Sequence, residues 1–143
     1  MVDVNNIFSV STPDFAALCR ETFEFQYIGN PLYREWCKRL GRDASNIRYI
    51  TDIPALPIAF FKQTKVHTTE FEPQVVFESS GTTGQKSSFH EVKDVNLYEQ
   101  SYSQGFRLFY GEPASWCILA LLPSYLERGN SSLVYMVNGL LSW

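Results

Sequence analysis

Gln74-Val75-Val76-Phe77-Glu78-Ser79-Ser80-Gly81-Thr82-Thr83-Gly84-Gln85-Lys86-Ser87 is the stretch on which the reading of this chain turns. Val75, Val76 and Phe77 are β-branched or aromatic and predict a strand. That strand runs straight into four hydroxyls and two glycines within six residues, Ser79 to Gly84. Glycines let the backbone turn its N–H groups inward, and hydroxyls add further donors, so such a loop is able to cradle phosphate oxygens. Lys86 adds a positive charge, and Ser87 and Ser88 add donors. A Walker A loop spaces its glycines more widely and places lysine directly after the second. Here only Thr82 and Thr83 separate Gly81 from Gly84, and Gln85 precedes Lys86, so the kinase-type loop is excluded. A plain strand–turn–strand connection also favours Gly, Ser and Thr. Both readings stand on composition, and the density of hydroxyls after a β-type run favours the cradle.

Outward from the loop, residues 87–92 read as the returning strand. Asp94 caps a helix with Leu97, Ser101, Gly105 and Leu108 on one face, and Gly111 ends it. Residues 116–122 are seven apolar residues between Ser115 and Pro123, the pattern of a strand buried on both faces of an α/β layer sheet. Ser131-Ser132 caps a last helix through Leu133, Tyr135, Met136, Val137 and Leu140. Upstream, Thr12-Pro13-Asp14 opens a helix facing inward through Phe15, Leu18, Thr22 and Phe25. Asn30-Pro31 opens a second, with Tyr33, Trp36, Cys37 and Leu40 on its face and Gly41 as terminator. Asp52-Ile53-Pro54-Ala55-Leu56-Pro57-Ile58 carries two prolines, which neither an ordinary helix nor a central strand tolerates, so it predicts an extended connector anchored by Phe60 and Phe61. The expected class is α/β, helical over 1–49, connecting over 50–73, with the phosphate loop and an α/β core over 74–143.

The 143 residues are 45% hydrophobic and 19% charged, which suits a packed domain and excludes a disordered chain. A net charge of −3 leaves no basic surplus for a nucleic-acid partner. Apolar runs stay short of the ~18 residues a membrane span requires. The N-terminus lacks the pattern of a signal peptide, so a cytoplasmic protein without a membrane partner is expected. Cys19, Cys37 and Cys117 are widely spaced and read as small buried hydrophobes, Cys117 within the buried strand; His67 and His90 have no spaced partner, so no metal site is expected. His90 reads as a solvated or hydrogen-bonded strand residue rather than a general base. Catalytic residues stay unassigned.

Ser79-Ser80-Gly81-Thr82-Thr83-Gly84, preceded by Phe77-Glu78 and followed by Ser87, resembles the phosphate-binding loop of the adenylate-forming superfamily of acyl-CoA synthetases, phenylacetate-CoA ligases and luciferases. The chain is most similar to the N-terminal part of the acyl-protein synthetase (LuxE-type) family. That closer match rests on Ile53-Pro54-Ala55-Leu56-Pro57-Ile58-Ala59-Phe60-Phe61-Lys62, on the loop, and on Leu122-Pro123-Ser124-Tyr125-Leu126-Glu127-Arg128 followed by Ser131-Ser132-Leu133-Val134-Tyr135-Met136. The resemblance implies ATP-dependent activation of a fatty or other carboxylic acid as acyl-adenylate, with Mg²⁺, and transfer to a protein thiol. It implies phosphate binding by Ser79, Ser80, Gly81, Thr82, Thr83, Gly84, Lys86 and Ser87. Relatives carry their lysine one position later than Lys86, and some have histidine where Leu126 stands.

In the family, the nucleotide-clamping acids, the adenine pocket, the mobile C-terminal domain and the acyl-carrying cysteine follow later in the chain. The expectation is therefore an N-terminal piece that is inactive alone. Three other readings stay open: a truncated or split module that binds a partner or self-associates through exposed apolar surface, an aryl- or acyl-CoA ligase, and an unrelated nucleotide-binding fold.

Overall fold

Asn30 does two jobs at once in the first part of the chain. Its N–H donates to the Gln26 carbonyl at 2.8 Å, closing one helix, and its side-chain oxygen accepts the Tyr33 N–H at 3.0 Å, opening the next. The two helices are α1 (Thr12–Gly29) and α2 (Pro31–Arg39). Losing such a cap costs about 1 kcal/mol, and Asn30 is buried, so no water replaces it readily.

The computed structural model describes residues 4–79, 87–122 and 129–142. The chain divides into two units, Met1–Glu70 and Phe71–Trp143. In the first, a 3-10 turn (Val4–Ser9) precedes α1. Phe23, Tyr33, Cys37 and Ile47 form the core, with Tyr27, Trp36, Ile53 and Leu56 packed around it. The Tyr33 ring meets Phe23 edge-on at 6.1 Å. The proline-rich connector has no ladder for its carbonyls, so aromatic donors take them. The Tyr33 hydroxyl donates to Pro54 O at 2.7 Å, and the Trp36 indole donates to Ala55 O at 3.1 Å. A 3-10 turn (Ile50–Asp52) and the single helical turn α3 (Phe60–Gln63) interrupt the connector, and Phe60 stacks edge-on against Trp36 at 5.7 Å. Burial raises the Tyr33 phenol and the Cys37 thiol above their ordinary ranges, which keeps that thiol unreactive at neutral pH.

In the second unit, β1 (Val75–Glu78) pairs antiparallel with β2 (Phe89–Val92), Phe77 opposite His90 and Glu78 opposite Phe89. The Asp94 carboxylate accepts the Asn96 N–H at 3.0 Å and caps α4 (Val95–Tyr110). Gly111, with φ of 79°, ends α4 in a conformation that side chains disfavour, and a 3-10 turn follows (Pro113–Ser115). The Ser131 hydroxyl accepts the Val134 N–H and starts α5 (Ser132–Leu141). The architecture is mixed α/β, with one two-stranded sheet among the described residues. No helix among the described residues is long and apolar enough to cross a membrane.

Three expectations are corrected. In α1 the buried residue is Phe23, with Leu18, Cys19, Thr22 and Tyr27 half-buried, so the expected face holds at Leu18 and Thr22, while Phe15 and Phe25 are exposed. Phe23 packs in one core with Tyr33, Cys37 and Ile47, which turns the buried face of the helix toward it. In α4 the inward face runs through Tyr98, Tyr102 and the buried Ser103, and Leu108 is exposed. Residues 116–122 form no strand, and Trp116, Leu119 and Leu121 are exposed. A strand needs a neighbour to satisfy its backbone, and the two-stranded hairpin offers this segment none among the described residues. Cys117 is consequently exposed rather than buried.

Two measurements probe this packing. A Cβ at Gly139 in α5 would collide with the Tyr102 hydroxyl, and the Tyr102 ring is held edge-on by Tyr98 at 5.4 Å. Gly139→Ala is expected to destabilise the chain by about 1–3 kcal/mol in urea unfolding, and most of that cost should vanish in a Tyr102→Ala background. Asp52 accepts the Tyr49 and Arg48 N–H groups at 2.9 and 3.1 Å, which, with Arg42 nearby, holds its carboxyl below the usual range. A depressed carboxyl stabilises above its unfolded pKa and loses that contribution as pH falls through its folded pKa. Asp52→Asn should therefore flatten the acid limb of stability against pH and leave the neutral slope unchanged.

Candidate functional site

The strand–loop–strand unit is built from the ladder upward. Phe77 points inward and is buried, its ring 5.2 Å from Tyr98 on α4 and 5.5 Å from Tyr135 on α5. Two phenols lock the helices beneath it. The Tyr98 hydroxyl donates to Ser132 O at 2.9 Å, and the Tyr135 hydroxyl donates to the Glu99 carboxylate at 2.6 Å. Burial raises the Tyr98 and Tyr102 phenols above their ordinary range, so both stay protonated.

Above Phe77 the hairpin narrows to a neck. The Ser79 N–H donates to Ser88 O at 2.9 Å, which extends the ladder one step past β1. The Ser79 hydroxyl oxygen accepts the Ser88 N–H at 2.9 Å and the Ser88 hydroxyl at 3.0 Å. A hydroxyl has one proton and two lone pairs. Of the two hydroxyl protons at the Ser79–Ser88 contact, one lies in the bond between them. On the other side, the Glu78 N–H donates to Asn130 O at 2.8 Å, and the Asn130 amide donates to the Glu78 carboxylate at 2.5 Å. The carboxylate at the loop base is thereby tied to an amide.

Of the loop residues singled out from sequence, Ser79 and the half-buried Ser87 stand at the neck. Ser80, Gly81, Thr82, Thr83, Gly84 and Lys86 lie outside the described residues, as do Pro123, Tyr125, Glu127 and Arg128. His90 is exposed on β2. No three His, Cys, Asp or Glu side chains among the described residues are grouped to hold a metal ion, so no Mg²⁺ ligand is assigned. The neck is closed by the Ser79 and Ser88 hydroxyls, and the Glu78 carboxylate at its base is engaged by Asn130. Sequence reading missed the Glu78–Asn130 clamp. The two residues stand far apart in the chain, and Gly129-Asn130 reads locally only as a turn.

Comparison with known proteins follows this geometry. The family described as "Acyl-protein synthetase, LuxE" matches residues 11–130. The chain is 40% identical over 79 residues to the long-chain-fatty-acid–luciferin-component ligase of Aliivibrio fischeri, covering 54% of this chain and 20% of that protein. It is 35% identical over 71 residues to the ligase of the same name in Vibrio harveyi, covering 49% of this chain and 18% of that protein. The matched stretch of the chain thus spans about a fifth of the length of these relatives. No solved structure matches.

Ser79→Ala removes the acceptor for two Ser88 donors. At about 1 kcal/mol for the loss, amide hydrogen exchange at Ser88 is expected to speed up several-fold. Exchange at the Phe77 amide, inside the ladder, should change much less.

Proposed function

The chain belongs to the acyl-protein synthetase (LuxE) family, and on that premise we propose that it carries the phosphate-binding part of an enzyme that activates a fatty acid with ATP, as acyl-adenylate, and passes the acyl group to a protein thiol. The supporting observation is that the family match runs through the whole loop, which sits on a hairpin neck closed by Ser79 and Ser88.

In this reading the hydroxyls of Ser79, Ser80, Thr82, Thr83 and Ser87 donate to phosphate oxygens, and Lys86 adds charge. Gly81 and Gly84 allow the backbone N–H groups to approach. A carboxylate attacking the α-phosphate brings two anions together and releases pyrophosphate, so donors fixed beforehand act where charge accumulates. Mg²⁺, when bound, offsets the charge on the phosphates. The names of the two bacterial relatives favour a long-chain fatty acid over an aryl acid. Turnover by the chain alone is not expected, since the matched segments make up about a fifth of those ligases.

The test is ATP–pyrophosphate exchange. Residues 11–130 grafted in place of the matching stretch of the Aliivibrio fischeri ligase should support exchange that depends on a long-chain fatty acid. Thr82→Ala with Thr83→Ala should lower that exchange about a hundredfold, the scale of losing fixed donors to a developing charge. Exchange that is indifferent to both threonines would sink the assignment, while acid-dependent exchange by the chain alone would overturn the expected inactivity of the isolated chain.

A further inference from the structure

The polar link between β1 and the start of α5 exceeds what docking the strand requires. Phe77 already seats β1 on α5 through the Tyr135 ring at 5.5 Å, and the Glu78 N–H already donates to Asn130 O at 2.8 Å. The Asn130 side-chain amide adds a bond to the Glu78 carboxylate at 2.5 Å, so two residues far apart in the chain meet by backbone and side chain at once. Glu78 is half-buried and Asn130 exposed, and a hydrogen bond that water can reach adds only modestly to folding. Its placement is more telling than its strength. Asn130 stands directly before the Ser131 cap, whose hydroxyl accepts the Val134 N–H, and Ser132 O accepts the Tyr98 hydroxyl at 2.9 Å. The amide therefore sits on a fixed mount. Successive N–H groups of a strand point to opposite edges, and on the other edge the Ser79 N–H is taken by Ser88 O at 2.9 Å. The chain leaving β1 is thus pinned from both sides.

We propose that Glu78 and Asn130 are positioning residues for Ser79, acting through the hydrogen bond between their side chains and not through the charge of Glu78. The inference rests on the reading of Ser79 as a phosphate donor, and it adds two residues that themselves touch no phosphate. A donor aimed at developing charge is effective only where it is fixed beforehand. Misplacing such a group by about 1 Å costs up to about a hundredfold in rate. β1 and β2 are four residues each, and a two-stranded hairpin of that kind is marginal by itself. The direction in which Ser79 leaves β1 is consequently set by what is tied to the end of the strand. A carboxylate is an unfavourable neighbour for a phosphate, since like charges repel. The Asn130 amide gives it a fixed partner, and a neutral acceptor in its place would serve that amide equally well.

The test follows ATP–pyrophosphate exchange in the Aliivibrio fischeri ligase carrying residues 11–142 as a graft, so that α5 travels with Asn130. Glu78→Ala and Asn130→Ala are each expected to lower kcat about tenfold, with KM for the fatty acid unchanged. The double variant should be no worse than either single one, because both remove the same bond. Glu78→Gln keeps a carbonyl acceptor for Asn130 and should hold kcat within about twofold of the parent graft. A merely structural bond would move the melting temperature of these variants and leave kcat per folded molecule alone. Unchanged kcat in Asn130→Ala, with exchange still lost on replacing Thr82 and Thr83, overturns the proposal and leaves the loop assignment standing. Glu78→Gln as impaired as Glu78→Ala also overturns it, because the charge itself is then needed. Should the graft not turn over, inorganic pyrophosphate is titrated into the chain itself and followed at the Ser79 and Ser88 amide resonances. Binding about tenfold weaker in Glu78→Ala and Asn130→Ala, with Glu78→Gln like the parent, supports the proposal. Equal affinity in all of them overturns it, and absence of pyrophosphate binding overturns it together with the loop assignment.

Discussion

The Phe77 side chain is the contact on which the second unit depends. It is 5% exposed and wedged between Tyr98 and Tyr135, so one strand residue fastens β1 to two helices at once. Side chains alternate across a strand. Once Phe77 faces inward, the direction of every other group on β1 follows, including Glu78 toward Asn130 and the exit of the chain at Ser79. Burying a phenylalanine contributes about 1.5–3 kcal/mol, a large share of what so small a unit has to spend.

Hydrogen bonds from aromatic side chains do much of the remaining work. Tyr98 and Tyr135 each reach across to another element, and Tyr33 and Trp36 do the same for the connector. These side chains combine apolar area with a polar tip, so they pack against a core and still satisfy a carbonyl that no ladder reaches. That use accords with few fully buried aliphatic residues among the described residues and 15% aromatic residues in the sequence.

Local rules were legible in the sequence, and choices between neighbours were not. Asn30-Pro31, Asp94 and Ser131 start helices where their side chains predict, and Gly41 and Gly111 take the positive φ expected of terminators. The strand before the loop and its return were readable because β-branched and aromatic residues favour extended backbone. The buried faces of α1 and α4 were not readable. Phe15 and Phe23 are equally apolar, and it is the core of Tyr33, Cys37 and Ile47 around Phe23 that separates them. Residues 116–122 were read from composition as buried, and composition describes what a segment prefers rather than what stands beside it. The Glu78–Asn130 clamp had no signal at all, since neither residue is unusual where it stands.

The neck at Ser79 and Ser88 brings together two kinds of constraint. Below it, the register is fixed by Phe77 opposite His90. An insertion there would turn Phe77 toward solvent and unfasten both helices. At the neck itself the Ser79 hydroxyl closes the hairpin against Ser88, so a change at Ser79 alters the pairing as well as any contact its side chain makes beyond it. Folding and whatever this hairpin presents are therefore constrained together at one residue.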